Sequence, residues 1–156
     1  MSQQPGAPRA PRIVVGVDGS PSSEGALRWA ARQAGLTGAT VEAVMAWHMP
    51  LMISGYAWPP VGVLEATDFG KAAQTALSAA TVRALGADSP APVIEVVKQG
   101  PPPRVLLDAA AGADLLVVGS RGHGGFTEAL LGSVSQHCVH HAPCPVVVIR
   151  DAAAGT

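Results

Sequence analysis

The chain has 156 residues, of which 48% are hydrophobic and 13% are charged, and its formal net charge is -1 at pH 7. This length predicts one domain with its own hydrophobic core and leaves too little chain for two domains of ordinary size. The near-neutral charge gives no electrostatic reason to expect a nucleic-acid partner, because nucleic acids are bound by clustered lysine and arginine side chains.

The N-terminal residues 1–11 are rich in proline and lack the apolar core of a signal peptide. We expect them to form a disordered tail ahead of a single domain over residues 12–150, followed by a second tail at 151–156. No apolar run is long enough to cross a bilayer, so no membrane partner is expected. Cys138 and Cys144 do not make a disulfide framework, which favours a cytoplasmic location.

A strand followed by a helix opens the predicted domain. Residues 12–18 are β-rich and end in Asp18, and turn-forming residues then lead into a helix that Gly38 should end. Open α/β sheets bind ligands at the carboxyl ends of their strands, so Asp18 is a candidate binding residue. The same carboxylate could instead serve only as a turn or helix-capping group.

The rest of the chain alternates strands and helices. Gly86 should end the second helix, and the long apolar connection over 48–66 is interpreted as a flap near the ligand or as a cover over the sheet edge. The alternation predicts an α/β fold with a doubly wound parallel sheet and helices on both faces. The predicted elements after the first helix are strands 40–47, 93–97, 115–118 and 146–149 and helices 67–85, 104–111 and 133–141.

A glycine-rich loop follows the fourth strand. Glycines let successive backbone amides approach a ligand and form a concave nest that suits phosphate. Farther along, Ser133 is predicted to cap the last helix, whose first amides would also be available to an anion. The loop consists of Gly119, Ser120, Arg121, Gly122, His123, Gly124 and Gly125.

The spacing Gly119-x2-Gly122-x9-Gly132-Ser133 resembles the universal stress protein family, whose ATP-binding members carry G-x2-G-x9-G-[S/T] at this position. The opening strand with Asp18 is similar to that family as well. The resemblance implies a Rossmann-like five-stranded sheet of order 3-2-1-4-5. It further implies a regulatory stress-response module that binds ATP with Mg²⁺ and forms a homodimer through the last strand, residues 146–149.

The same resemblance implies a nucleotide site between the first and fourth strands. The phosphates would lie on the glycine-rich loop and at the start of the last helix, and the adenosine would lie on the first strand and near Ala46. The implied residues are Gly16, Val17, Asp18, Ala46, Gly119, Ser120, Arg121, Gly122, His123, Gly124, Gly125, Gly132, Ser133, Val134 and Ser135.

The sequence lacks the common catalytic patterns and has one pair of histidines at a metal-binding spacing. The Walker pattern and the nucleophile elbow are absent, and the loop has no lysine or carboxylate to assist phosphoryl transfer. We therefore expect nucleotide binding with at most slow ATP hydrolysis, and no enzyme activity. His137 and His141 are spaced for a metal, but the prolines that follow favour a structural segment, so no metal site is expected.

Two further interpretations remain open. The chain could be an interaction protein that keeps the fold and uses no nucleotide. Alternatively, it could bind cyclic AMP or adenosine and leave the triphosphate loop unused. Retention of the full glycine motif favours ATP binding over the first of these.

Overall fold

Five strands and four helices alternate along the chain in the computed structural model, which describes residues 9–48, 66–122 and 131–150. Over this part of the chain, no helix is both long and apolar enough to cross a membrane. The elements are β1 (Arg12–Gly16), α1 (Pro21–Thr37), β2 (Thr40–Trp47), α2 (Ala66–Leu85), β3 (Val93–Gln99), α3 (Pro102–Ala110), β4 (Leu115–Gly119), α4 (Ser133–His141) and β5 (Val146–Ile149).

The strands form one parallel sheet in the order β3-β2-β1-β4-β5. The central strand β1 pairs with β2 on one side and with β4 on the other, and Val15 lies opposite Val117 in the second pairing. The predicted fold class and strand order are therefore confirmed. Because the winding reverses between β1 and β4, a crevice opens at the carboxyl ends of these two strands.

Helices cover both faces of the sheet. The alternation of side chains along a strand sends Val15 toward the core that α1 and α2 cover, and Val14 toward the core that α3 and α4 cover. Leu27 and Leu77 fill the first core, and Leu106 packs in the second. The two helical layers thus leave the strand ends as the open side of the sheet.

Most element boundaries follow the local chemistry. Gly38 and Gly86 both adopt the left-handed conformation, with φ of +74° and +66°, and end α1 and α2 as predicted. Helix α3 starts at Pro102 and not at residue 104, because the first turn of a helix needs no amide donors and accepts proline. Strand β1 ends at Gly16, two residues before the predicted boundary.

Several predicted segments fall partly or wholly outside the described residues. These are the tail at 1–11, of which residues 9–11 are described, the connection at 48–66 between β2 and α2, and the tail at 151–156.

Candidate functional site

A cavity of about 300 Å³ lies at the carboxyl ends of β1, β2 and β4, beside the N-termini of α3 and α4. It therefore occupies the crevice that the strand order creates. The lining residues in the described part of the chain are Gly16, Val17, Asp18, Ser23, Val44, Ala46, Pro102, Leu106, Val118, Gly119, Arg121, Gly122, Leu131, Gly132, Ser133, Val134 and Ser135.

Asp18 is held at the mouth of the cavity by the turn that leads into α1. Its Oδ1 accepts hydrogen bonds from the amide of Ser20, at 2.9 Å, and from the Ser20 hydroxyl. The Ser20 hydroxyl in turn accepts from the amide of Ser23 and caps α1. Asp18 is thus a turn residue, as one interpretation of the sequence proposed, and it also lines the cavity.

The other oxygen of Asp18 reaches the glycine-rich loop. A Cβ atom built on Gly122 would lie only 2.8 Å from Asp18 Oδ2. The carboxylate therefore rests against bare backbone, and both residues are exposed at the cavity mouth. The sequence placed these two residues on opposite walls of one crevice, and the structure brings them into contact.

The two halves of the glycine motif also meet. The amide of Gly132 donates to the Ser120 carbonyl at 2.7 Å, and a Cβ on Gly132 would lie 3.6 Å from the Gly122 nitrogen. Because its amide is already used, Gly132 closes the loop and does not donate to a ligand. The anion nest proposed from the sequence must therefore draw its donors from other residues.

The prediction that Ser133 caps α4 is wrong. Gly132 is the N-cap, without a side-chain hydrogen bond, and its carbonyl accepts the first helical bond from Gln136 at 2.9 Å. Ser133 is consequently the first residue of the helix. The amides of Ser133, Val134 and Ser135 have no partner within the helix, and these three residues line the cavity at the positive end of the helix dipole.

Gly119 and Ser120 help the end of β4 to pack against its neighbouring elements. A Cβ on Gly119 would collide with Ser22, 2.7 Å from its backbone carbon, and the Gly119 carbonyl accepts from the buried Ser135 hydroxyl. Ser120 is buried, and its amide donates to the Ile149 carbonyl at 2.8 Å. Gly119 therefore lets α1 and α4 approach β4, and Ser120 lies behind the cavity wall.

The inner end of the cavity is apolar, and most of its residues were missed by the sequence analysis. Val44 lies opposite Gly16 in the β1–β2 register. It shares a face of β2 with Ala46, because side chains two residues apart in a strand point to the same side. Knowledge of this register would have identified Val44 as a cavity residue. Leu106 packs directly on the backbone of Gly16, since a Cβ there would lie 2.8 Å from Leu106 Cδ1. No local sequence signal points to Leu106.

The charged groups of the cavity lie at its mouth. Asp18 and Arg121 are the charged side chains among the described lining residues, and both are exposed. The amide of Arg121 donates to the Ser22 hydroxyl at 3.4 Å, which links the backbone of the loop to α1. The predicted residues His123, Gly124 and Gly125 lie outside the described residues. A ligand with a flat apolar body and an anionic end suits this arrangement.

The family follows from a comparison of the whole domain with known proteins. A sequence model of the universal stress protein family matches residues 10–150. The chain belongs to the universal stress protein family. Universal stress protein Rv2005c of Mycobacterium tuberculosis is 38% identical over 149 residues, which cover 92% of this chain and 47% of that protein. The chain spans about half the length of the curated relatives it matches.

Solved structures of universal stress proteins share the fold. UspA from Lactobacillus plantarum superimposes with a TM-score of 0.64 at 25% identity, over 92% of this chain and all 100% of that one. A universal stress protein solved in complex with cAMP has a TM-score of 0.56 at 25% identity, over 90% of this chain and 97% of that one.

Proposed function

We propose that this universal stress protein is a regulatory module that binds an adenine nucleotide in the cavity, with ATP and Mg²⁺ as its ligands. The observation that carries the proposal is the contact of Asp18 with Gly122 beside the first turn of α4. At this contact, a carboxylate and the glycine backbone of the loop lie next to the first amides of α4, which have no acceptor within the helix. All three are at the mouth of one apolar cavity.

The two ends of the cavity suit different parts of the nucleotide. The adenine would pack between Val44, Ala46 and Leu106 at the apolar end. The first turn of α3 offers that end few amide donors, because the N-cap Pro101 and the first two residues of the helix are prolines without a backbone N–H. The phosphates would bind at the opposite end, where the first amides of α4 are available and Arg121 is exposed.

Asp18 explains why a cation should accompany ATP. Two unit charges of like sign 4 Å apart near a protein surface repel by about 4 kcal/mol. The carboxylate therefore favours a ribose hydroxyl or a phosphate-bound Mg²⁺ beside it, and disfavours free polyphosphate. We expect the affinity for ATP to depend on Mg²⁺ more strongly than the affinity for adenosine does.

Cyclic AMP is the second candidate ligand. A universal stress protein that is 25% identical to this chain was solved in complex with cAMP. A cyclic monophosphate would use the same apolar end and the amides of α4. It carries a single negative charge, so its binding should respond little to Mg²⁺.

Family membership supports a regulatory role without appreciable turnover. We further propose that the protein acts in the cytoplasm as a homodimer that pairs through the edge strand β5, Val146–Ile149. All four residues of this strand are half-buried, and no other strand in the described part of the chain pairs with its outer side, which a second copy could cover.

Calorimetric titration of the protein with ATP, ADP, AMP and cyclic AMP, each with and without Mg²⁺, tests the proposal. We expect ATP with Mg²⁺ to bind most tightly, and Gly122→Val to weaken it by at least about tenfold, because the added side chain displaces the Asp18 carboxylate and fills the cavity mouth. Circular dichroism checks that the variant is folded.

Three outcomes would change the conclusion. A preference for cyclic AMP would favour the second candidate. Equal binding by the folded Gly122→Val variant would place the nucleotide elsewhere. Failure of every nucleotide to bind would favour an interaction protein that uses the fold alone.

A further inference from the structure

The C-terminal half of α4 carries three exposed histidines, His137, His140 and His141. His137 and His141 are four residues apart and therefore share one face of the helix. Their ring centroids are 4.7 Å apart with an interplanar angle of 48°. Cys138 is fully buried on a different face of the helix, whereas both histidines are exposed at the surface of the protein.

The spacing of the two rings suits a shared metal ion. A tetrahedral zinc ion bonds imidazole nitrogens at about 2.0–2.1 Å, so two nitrogens on one ion lie about 3.3 Å apart. A centroid separation of 4.7 Å is compatible with this spacing when both rings turn a nitrogen toward the ion.

We propose that His137 and His141 form a two-imidazole clamp for a late first-row divalent metal ion, Zn²⁺ or Cu²⁺, with water completing the coordination shell. Imidazole is a preferred ligand of both metals. The prolines after residue 142 favoured a structural segment in the sequence analysis, but they do not shorten the helix. Helix α4 ends at His141, as predicted, and Ala142 is its C-cap, so the full turn between the two rings is formed.

The neighbouring groups keep the clamp at two protein ligands. Within the described ranges, no group of three or more His, Cys, Asp or Glu side chains could hold a metal. The Cys138 side chain is fully buried in the core between α4 and the sheet, so its sulfur is not available at the surface where the two imidazoles lie.

The clamp is independent of the nucleotide site. Helix α4 has nine residues and spans about 13 Å, and the cavity lies at its first turn. Changes to His137 or His141 should therefore leave nucleotide binding intact. The proposal does not rest on the proposed function, and either can fail without the other.

Calorimetric titration of tag-free, nucleotide-free protein with ZnCl₂ and with CuCl₂ tests the clamp. We expect one ion per chain, with tighter binding of Cu²⁺ as the usual order of divalent metals predicts. His137→Ala and His141→Ala should each weaken binding by at least about tenfold, because loss of one ring removes the chelate. Both positions are exposed and alanine favours a helix, so these variants should fold.

His140→Ala is the matched control, because it removes an exposed histidine from the same turn. The His140 ring centroid lies 6.3 Å from that of His141, farther than the clamp partner, so its loss should leave the affinity close to wild type. Zn²⁺ should raise the melting temperature of the wild type and of this control, and not of the other two variants. Equal metal binding by a His137→Ala, His141→Ala double variant, or no saturable binding by the wild type, would overturn the proposal.

Discussion

At the scale of single residues, the missing side chain of Gly119 lets α1 pack against the end of β4. A Cβ there would lie 2.7 Å from the Ser22 backbone carbon, which cannot rotate away. We expect Gly119→Ala to lower the free energy of unfolding by about 2 kcal/mol, as overpacked cores do. Urea denaturation monitored by circular dichroism measures the change.

Gly25→Ala provides the contrast for this measurement. Gly25 lies within α1, and a Cβ there would make ordinary contacts, at 3.7 Å, with Arg28 and Ile149. Alanine lowers the backbone entropy cost of a helix, so this variant should be as stable as the wild type or more stable by about 0.5–1 kcal/mol. If both variants lost stability equally, the contact with Ser22 would not be the cause.

The positions of single residues were predictable from the sequence where a side chain or its absence decides them. Asp18 and Gly122 were both expected at the crevice, and they lie there in contact. The use of individual amides could not be predicted, because it depends on tertiary contacts. The Gly132 amide bonds to the Ser120 carbonyl, and this pairing has no signature in either local sequence.

At the scale of elements, the N-terminus of α4 is the proposed phosphate-binding site. Substitution of its N-cap, Gly132, tests whether this site prefers an anionic ligand. Among the described residues, the atom nearest to a Cβ on Gly132 is the Ser120 carbonyl oxygen at 3.5 Å, so a side chain fits against them. Aspartate and asparagine are both favoured N-caps and differ mainly in charge. We expect Gly132→Asp to weaken ATP binding by at least about tenfold through like-charge repulsion, and Gly132→Asn to weaken it much less.

Titration calorimetry of the two variants side by side separates charge from bulk. Thermal unfolding should give similar melting temperatures for both, because each can cap the helix. An equal loss of ATP affinity in the aspartate and asparagine variants would show that bulk alone blocks the site. Unchanged affinity in both would place the phosphates away from α4.

The elements themselves were largely predictable from local patterns. The bounds of β2 and β5 agree with the predicted ranges, since turn and proline signals flank both strands. The capping of α4 was placed one residue too late, because Ser133 is intrinsically a better cap than Gly132. The bond from the Gly132 amide to the carbonyl of Ser120, the residue after β4, overrides that preference.

At the scale of the whole molecule, the open edge of β5 is the proposed dimer contact. The carbonyls of Pro145 and Ile149 accept from β4, so the backbone groups of the alternate residues Val146 and Val148 face the open side. Val148→Pro removes an outward amide and spares the ladder to β4. We expect a dimer for the wild type and a monomer for this variant by light scattering coupled to size-exclusion chromatography.

Val148→Thr serves as the control, because it keeps both the amide and a β-branched side chain. It should remain dimeric at the concentrations at which the proline variant dissociates. A dimeric, folded Val148→Pro variant would show that the subunits associate through another surface.

The alternation of strands and helices predicted the parallel sheet, because crossover connections are right-handed and cover both faces. The order of the strands could not be derived from the pattern and came from the family resemblance. It is fixed by contacts between distant parts of the chain, such as the pairing of Ile13 with Leu115. The apolar end of the cavity was missed for the same reason, since Leu106 reaches Gly16 only in the assembled sheet.

The central pairing of β1 with β4 has a consequence during protein synthesis. The Arg12 amide bonds to an Asp114 oxygen 102 positions later in the chain, and α4 is made later still. A ribosome-bound chain must therefore expose the whole stretch from β1 to α4 before the cavity has all its walls. We expect nascent chains to bind nucleotide only once the first and last thirds of the domain have joined.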